Sequence, residues 1–420
     1  MSLNLNEAQM KAVYSKEPNI VVVAPPGSGK TRCMCTAIQE YQALHPMHSI
    51  TAITYTRKAA TELAERIHCA KVKTGTIHSW SLQQLYSLGA KYGFTVELLE
   101  EEEMRRIMQK IAYAKNMKFV NIYQLYNYIV GNIKTLDLDD AIVKKYEKIK
   151  ALYMEYKYDR GLYDFTDLPQ YLLDVLEEYD EEIYTIDALF VDEFQDIDEV
   201  QFKVFEKVCA SKKFFIGDFR QAIYGFNGAL EDVFDKLAAS NFKTYRLDTN
   251  YRSKQSIMDA ADSFRDSCDY NQNITQLKAL KHSPVYCARG KGGGIYLIDN
   301  HQYCLTHSDT FDSENAKAIV QRLLEMPNTM VLCRTNKQVR KLQSLGIENC
   351  STVHQAKGLE YDNVILCDIF VNNEEELNVA YVGMTRAKNE LCVIGFDALV
   401  NIIATTNINI HKTFTQNTLF

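Results

Sequence analysis

Residues 20–31 read IVVVAPPGSGKT, and the reading of the whole chain turns on them. Ile20 to Val23 are four β-branched apolar residues in succession, the composition of a buried strand. Two prolines and two glycines break the run, and Lys30 and Thr31 lead into helix-compatible sequence from Arg32 onward. This order is the P-loop pattern, here A-x-x-G-x-G-K-T. Such a loop, Ala24, Pro25, Pro26, Gly27, Ser28 and Gly29 in this chain, wraps a phosphate chain through its backbone N–H groups, which the two prolines lack. Lys30 reaches the β- and γ-phosphates, and the Thr31 hydroxyl holds Mg2+. Ala24 stands where the simplest form of the motif has glycine. A chance Gly-rich turn would not require the strand and helix that flank this one.

A chain of 420 residues has room for two to three domains. A hydrophobic content of 46% and a charged content of 24% are ordinary for a globular protein. The net charge of -7 gives no general basic field, so any polyanion must meet positive charge gathered in a groove. The 11 cysteines form no C-x-x-C pair, which fits a reducing, intracellular compartment, cytoplasm or nucleus. His301, Cys304 and His307 have metal-compatible spacing but no matching fourth ligand. The N-terminus is polar, and no apolar run is long enough to span a membrane.

The strands that follow end in polar chemistry. Leu5 to Met10 open a helix with Asn6 as cap and Gln9 at the capping-box position. Ser49 to Thr54 is a strand ending in Tyr55, Thr56, Arg57 and Lys58, residues suited to phosphate contact and base stacking. Thr76-Ile77-His78-Ser79 is a similar end. Ala188 to Val191 is a buried strand closed by Asp192 and Glu193, the Walker B arrangement. One carboxylate holds Mg2+, and the next orients and deprotonates the attacking water. Lys213 to Ile216 is a strand followed by Gly217-Asp218 and, three residues on, Gln221, placed to sense a γ-phosphate. Strands separated by helices, with polar residues at their C-terminal ends, predict an α/β fold with a doubly wound parallel sheet.

Between Leu85 and Gly161 the chain turns helical and rich in tyrosine, which reads as an inserted helical subdomain whose rings are mostly core. A second α/β series begins near Tyr245 to Leu247, with strands at Met330 to Cys333, Val364 to Cys367 and Leu391 to Ile394. It has no P-loop of its own but offers Arg252 and Arg386 toward the first domain's nucleotide. Pro284 to Gly294, with four glycines, Arg289 and Lys291, reads as a flexible linker. No internal repeat is visible in the residues.

These residues resemble the UvrD/Rep-type superfamily 1 DNA helicases. The matching stretches are LNEAQ (5–9), APPGSGKT (24–31), TYTRKAA (54–60), GTIHS (75–79), VDEFQD (191–196), GDFRQAIYGFNGA (217–229), LDTNYRS (247–253), VHQAKGLEYD (353–362) and AYVGMTRAK (380–388), in the family's order. The resemblance implies two RecA-like parallel-sheet domains, the first spanning 1–84 and 162–247, with the helical subdomain at 85–161 inserted. The second would span 248–400, before a tail at 401–420. It implies that Gln9 reads adenine, Tyr251 stacks on it, Arg32 lies beside the nucleotide and Glu360 binds the ribose. Asp192 and Thr31 would hold the metal and Glu193 would be the base. Gln221 would couple the γ-phosphate to DNA, and Arg252 and Arg386 would be arginine fingers. Tyr55, Thr56, Thr76, His78, Tyr224, Phe226 and His354 would meet DNA.

Two departures stand out. Phe226-Asn227 replaces the family's usual Trp-Arg, which weakens stacking there. The large accessory domain of the second core domain is missing, leaving only a short connection from Lys337 to Cys350. Fewer than 40 residues follow Arg386, so a fused nuclease domain is not expected. The expectation is an ATP- and Mg2+-dependent helicase/translocase on single-stranded DNA and single/double-strand junctions, 3′-to-5′, monomeric and without membrane contact. One rival is a DNA-stimulated ATPase that translocates but separates strands poorly. Another is a nucleotide-controlled DNA-binding module without turnover. A metabolic kinase would not account for the ordered second-domain stretches.

Overall fold

A computed structural model describes residues 5–67, 71–117, 120–131, 140–223, 233–267, 285–299, 324–367, 373–395 and 412–414, with single positions at 69, 138, 230, 369 and 371. The chain separates into two compact units. Met1–Thr74, Ile186–Glu199 and Ala210–Phe420 form the first, and Gly75–Thr185 with Val200–Cys209 form the second.

The first sheet is built from β1 (Asn19–Val23), β2 (Ile50–Thr54), β3 (Val72–Thr76), β4 (Ala188–Val191), β5 (Lys212–Gly217) and β6 (Lys243–Arg246), in the order β3-β2-β4-β5-β1-β6. The pairs β2–β4, β4–β5, β5–β1 and β1–β6 are parallel. Every residue of β2 and β4 is buried, as expected of parallel strands covered on both faces. The covering helices include α1 (Glu7–Val13), α2 (Lys30–Leu44) and α3 (Arg57–Ile67). Asn6 and Gln9 close the capping box expected at the start of α1.

A two-stranded ribbon, β7 (Thr249–Asn250) with β8 (Tyr286–Cys287), comes before the second sheet. That sheet contains β9 (Gly294–Asp299), β10 (Thr329–Cys333), β11 (Cys350–Thr352), β12 (Tyr361–Cys367), β13 (Ala387–Gly395) and β14 (Lys412–Phe414). Its order is β11-β10-β12-β13-β9-β14, and all its pairs are parallel. Counted from the first strand of each, this is the permutation of the first sheet. Two sheets of one plan were expected, and the strand order makes them the same plan, although no sequence repeat marks it. Between β10 and β11 lies one helix, Asn336–Ser344, capped by Thr335, so the short connection at 337–350 is a single helical crossover.

The second unit is helical, with α4 (Ile77–Tyr92), α5 (Glu101–Ala114), α6 (Ile122–Ile129), α7 (Asp140–Tyr158) and α8 (Leu168–Glu178). It is wider than the 85–161 expected. Leu99, Met108, Leu125, Ile149 and the rings of Tyr128, Tyr146 and Tyr153 form its core, whereas Tyr86, Tyr113, Tyr123 and Tyr158 are exposed. Among the described residues no helix is long and apolar enough to cross a membrane.

Candidate functional site

The turn after β1 uses glycine where only glycine serves. Gly27 and Gly29 have φ of +67° and +82°, a region that other residues enter at a cost. A Cβ on Gly27 would stand 2.6 Å from Arg252 Cβ and 2.9 Å from Asn250 Nδ2. The segment after β7 therefore lies directly on the loop. Asn250 Nδ2 donates to the Pro26 carbonyl (2.7 Å) and the Tyr251 N–H to the Gly27 carbonyl (2.8 Å). α2 starts at Lys30 without a side-chain cap, which leaves its first N–H groups to an anion. Ser28 Oγ is buried with no hydrogen-bond partner. Loop, helix end and orphaned hydroxyl all fit a chain of phosphate oxygens.

The ends of β4 and β5 bring the acids to this loop. Lys30 Nζ donates to Glu193 Oε2 at 2.7 Å, and Gln195 Nε2 donates to the same oxygen at 2.6 Å. Glu193 has a left-handed backbone, φ +50°, an uncommon state for a non-glycine residue. Burial opposes its charge, but Lys30 and then Lys357 outweigh this and hold its pKa down at about 2. Burial likewise opposes the Lys30 ammonium, yet Glu193 and Asp192 keep its pKa above the ordinary lysine value. Asp192 is pushed up to about 6, by burial first and the Glu193 charge second. Among the described residues no group of three or more His, Cys, Asp or Glu could hold a metal unaided. A hydroxyl, Thr31, and one carboxylate, Asp192, are donors that suit Mg2+, which takes a few protein oxygens and completes its shell with water and phosphate.

The second sheet supplies cations. Arg386 precedes β13 and is fully buried. Its Nη2 donates to Gln221 Oε1 at 3.1 Å, its Nε to the Val382 carbonyl at 3.0 Å and its Nη1 to the Leu359 carbonyl at 3.2 Å. Burial, then Arg252, lowers its pKa to about 9, so it is charged at neutral pH. Gln221 Nε2 donates to Asp218 Oδ2 at 2.8 Å. Arg252 Nε donates to Glu360 Oε2, and Lys388 Nζ pairs with Glu360 Oε1, both at 2.8 Å. Burial opposes the Glu360 charge, but Lys388 and Arg252 hold its pKa down at about 2. Lys357 Nζ, from the second sheet, pairs with Asp196 at 2.5 Å and also donates to the Gln221 carbonyl at 2.9 Å.

One cleft of about 640 Å³ is lined by Lys30, Thr31 and Glu193 from the first sheet's loops and by Arg252, Glu360 and Arg386 from the second's. Pro26, Gly27, Gly29, Arg32, Gln221 and Tyr251 also line it. Gln9 is buried behind the loop, its Nε2 bonded to the Ser28 carbonyl at 2.9 Å. Tyr251 is exposed and accepts from Asn6 Nδ2 at 2.9 Å.

The residues expected at DNA have different settings. Tyr55 is exposed, and the Thr56 hydroxyl accepts from the Ala59 N–H at the start of α3. In the helical unit, Thr76 caps α4, and His78 stacks on Phe165, with ring centroids 5.6 Å apart. Burial lowers the His78 pKa. His354 is buried, and its Nε2–H donates to the Ile223 carbonyl at 3.1 Å while Arg334 Nη1 lies 3.2 Å from Nδ1. Its ring therefore ties the two sheets together. Tyr224 and Phe226 lie outside the described residues, as do His301, Cys304 and His307.

Residues 5–242 match the model of the UvrD/REP helicase N-terminal domain, and residues 347–397 match that of the UvrD-like helicase C-terminal domain. The chain belongs to the UvrD/REP helicase family. It is 27% identical over 366 residues to a probable DNA helicase II homolog of Mycoplasma capricolum, over 79% of this chain and 49% of that protein. It is 31% identical over 299 residues to the putative ATP-dependent DNA helicase YjcD of Bacillus subtilis, over 62% of this chain and 38% of that one. To the ATP-dependent DNA helicase PcrA of Leuconostoc citreum it is 26% identical over 381 residues, covering 81% and 48%. The chain thus spans about half the length of these relatives or less.

The UvrD-type cleft also contains residues that sequence reasoning passed over. Arg66, Arg289 and Lys388 line it, and Lys357 bridges to Asp196. The expectation of a flexible linker at 284–294 is corrected at Arg289. Its guanidinium grips the Arg252 carbonyl at 2.8 Å, and Gly293 allows a close backbone approach there. An arginine set among glycines was the available signal.

Proposed function

We propose that this chain is an ATP-dependent DNA helicase/translocase that moves on single-stranded DNA with 3′-to-5′ polarity. The observation that carries the reading is the shared cleft: a phosphate loop and the Glu193 carboxylate on one side, two arginines on the other. In this reading Gln9 and Tyr251 take the adenine, Arg32 lies beside it, and Glu360 takes the ribose. The γ-phosphate replaces Glu193 as the partner of Lys30. That releases a carboxylate otherwise held near pKa 2, so it becomes a competent base for water. Arg252 and Arg386 neutralise charge that builds on the transferred phosphoryl group, which in related chemistry is worth roughly 10³ to 10⁵ in rate. Mg2+ at Thr31 and Asp192 would supply further charge neutralisation. Gln221, bonded to Arg386, couples the state of the cleft to bound DNA, and Tyr55, Thr56, Thr76 and His78 are the DNA contacts this reading retains.

The names of the relatives, DNA helicase II and PcrA, support DNA as the track. Single/double-strand junctions are the expected target and a monomer the expected form. A second reading, translocation with weak strand separation, draws on the single helix between β10 and β11. ATP hydrolysis measured with and without single-stranded DNA, alongside displacement of a strand from a 3′-tailed duplex, tests both. DNA-stimulated hydrolysis with displacement supports the first reading, and hydrolysis without displacement supports the second. Nucleotide binding without turnover would reject both in favour of a switch-like DNA-binding module.

A further inference from the structure

We infer that Arg289 is a positioning residue that holds the backbones of Arg252 and Arg386 in one frame. This rests on reading those two arginines as the fingers of the cleft. They arrive from distant parts of the chain, Arg252 just after β7 and Arg386 just before β13. Arg289 sits between them, on the turn after β8. Its Nη1 donates to the Arg252 carbonyl at 2.8 Å and to the Lys388 carbonyl at 3.1 Å, and its Nη2 donates to Asn389 Oδ1 at 2.8 Å. One planar group thus spans the backbone of one finger and the strand that begins beside the other.

The surrounding contacts make Arg289 the centre of a three-segment junction. The Lys254 N–H donates to the same Lys388 carbonyl at 3.0 Å, and Ser253 Oγ donates to the Ala387 carbonyl at 2.6 Å. The Arg289 backbone is fixed in return, its carbonyl accepting from Lys254 Nζ at 3.0 Å. The Gln255 N–H bonds the Gly290 carbonyl at 3.1 Å. Gly293 completes the fit: at φ +102°, a Cβ there would stand 2.8 Å from Lys254 Cβ and 3.1 Å from the Asn389 carbonyl. Gly293 thus lets the segment that carries Arg289 lie close on the junction. A lysine could not replace it, because a single ammonium on a flexible stem lacks the rigid fork that fixes several acceptors at set spacing.

The test measures steady-state ATP hydrolysis with saturating single-stranded DNA on the full chain, with melting temperature as a fold control. R289M should lower kcat about tenfold to a hundredfold, the loss expected when a catalytic group is displaced by about 1 Å. KM for ATP should move less than about threefold, since an interaction made only in the transition state is what is lost. R289K should fall with R289M rather than with wild type. Adding R289M to R252A should cost clearly less than R289M costs in wild type, because the part of its effect that runs through Arg252 is already lost. N389A, which removes one acceptor only, should give a smaller fall of the same kind and serves if R289M does not fold. A folded R289M within twofold of wild type, or full additivity with R252A, would overturn the inference. An R252A protein as fast as wild type would instead remove the finger reading itself, and this inference with it.

Discussion

The two parallel sheets of this chain have one strand permutation and opposite chemistry. In the first, the strand ends present the phosphate loop and a set of acids, Asp192, Glu193, Asp196 and Asp218. In the second, the corresponding region presents Arg252, Arg289, Lys357, Arg386 and Lys388, with Glu360 as counter-charge to Arg252 and Lys388. Topology therefore decides where side chains gather, and residue chemistry decides what each gathering does. The ion pair across the sheets, Lys357 with Asp196, follows from that difference in sign, and Arg386 adds a hydrogen bond to the neutral Gln221. Two acidic edges would repel, and an acidic edge facing a cationic one closes on itself.

The sharpest way to break the comparison is to disarm each side in turn. Arg386→Ala should lower ATP turnover roughly 10³-fold or more while nucleotide still binds, because the first sheet's loop keeps its grip. Lys30→Ala should lose binding together with turnover. Equilibrium titration with a fluorescent ATP analogue, run beside hydrolysis, separates the two. Equal loss of binding in both proteins would deny the division of labour. Glu193→Gln should bind ATP and fall in turnover about 10²- to 10⁴-fold, the range of general base catalysis.

Next in size is the bridge between the sheets. Asp196 is buried and Lys357 half-buried, and burial already pushes Asp196 up to about 6 despite the Lys357 charge. Lys357→Met leaves that carboxylate without its cation and should cost about 3 kcal/mol in urea unfolding. The Lys357→Met/Asp196→Asn double variant should recover most of the loss, since no charge is then stranded. A double variant no better than the single one would show that the ammonium matters through its bond to the Gln221 carbonyl instead.

Gly27→Ala probes the same closeness through the backbone. The left-handed φ costs about 1–2 kcal/mol for alanine, and the added methyl runs into Arg252 Cβ. The loop or the Arg252 segment must move, so ATP affinity should fall, as the same titration would measure. Affinity equal to wild type would mean that the segment after β7 does not need to rest on the loop.

What could be read in advance divides along the same line. The phosphate loop and the Walker strand were legible because their grammar is local: a β-branched run, glycines at positive φ, and acids at a strand end. The two-sheet α/β plan was legible from the spacing of buried runs. The identical permutation was not, since any buried run of valine, isoleucine and leucine satisfies it and no residue repeat is required. Arg289 offered only its setting among glycines, because it works mainly through the carbonyls of segments far away in sequence, which carry no side-chain signature. His354 stands between these cases. Its motif suggested a DNA contact, whereas its ring is spent on the Ile223 carbonyl and Arg334, a packing fact that no motif encodes.

The smallest effect concerns the only carboxylate among the described cleft-lining side chains of the second sheet that holds two cations at once. Glu360 is partly exposed, yet Lys388 and Arg252 keep its pKa near 2, against an ordinary value of 4.5. A group depressed in this way binds fewer protons folded than unfolded, so its contribution is complete above pH 4.5 and drains away as pH falls toward 2. Glu360→Gln should therefore lower the melting temperature slightly at pH 7, and the gap from wild type should narrow as the pH is taken below 4.5. Solvent screening keeps the gap small, so thermal melts at low ionic strength are the measurement of choice. A gap that stayed constant with pH would mean that Glu360 acts through shape alone. Arg252 would then be steadied by Arg289 and Asn250 without its counter-charge.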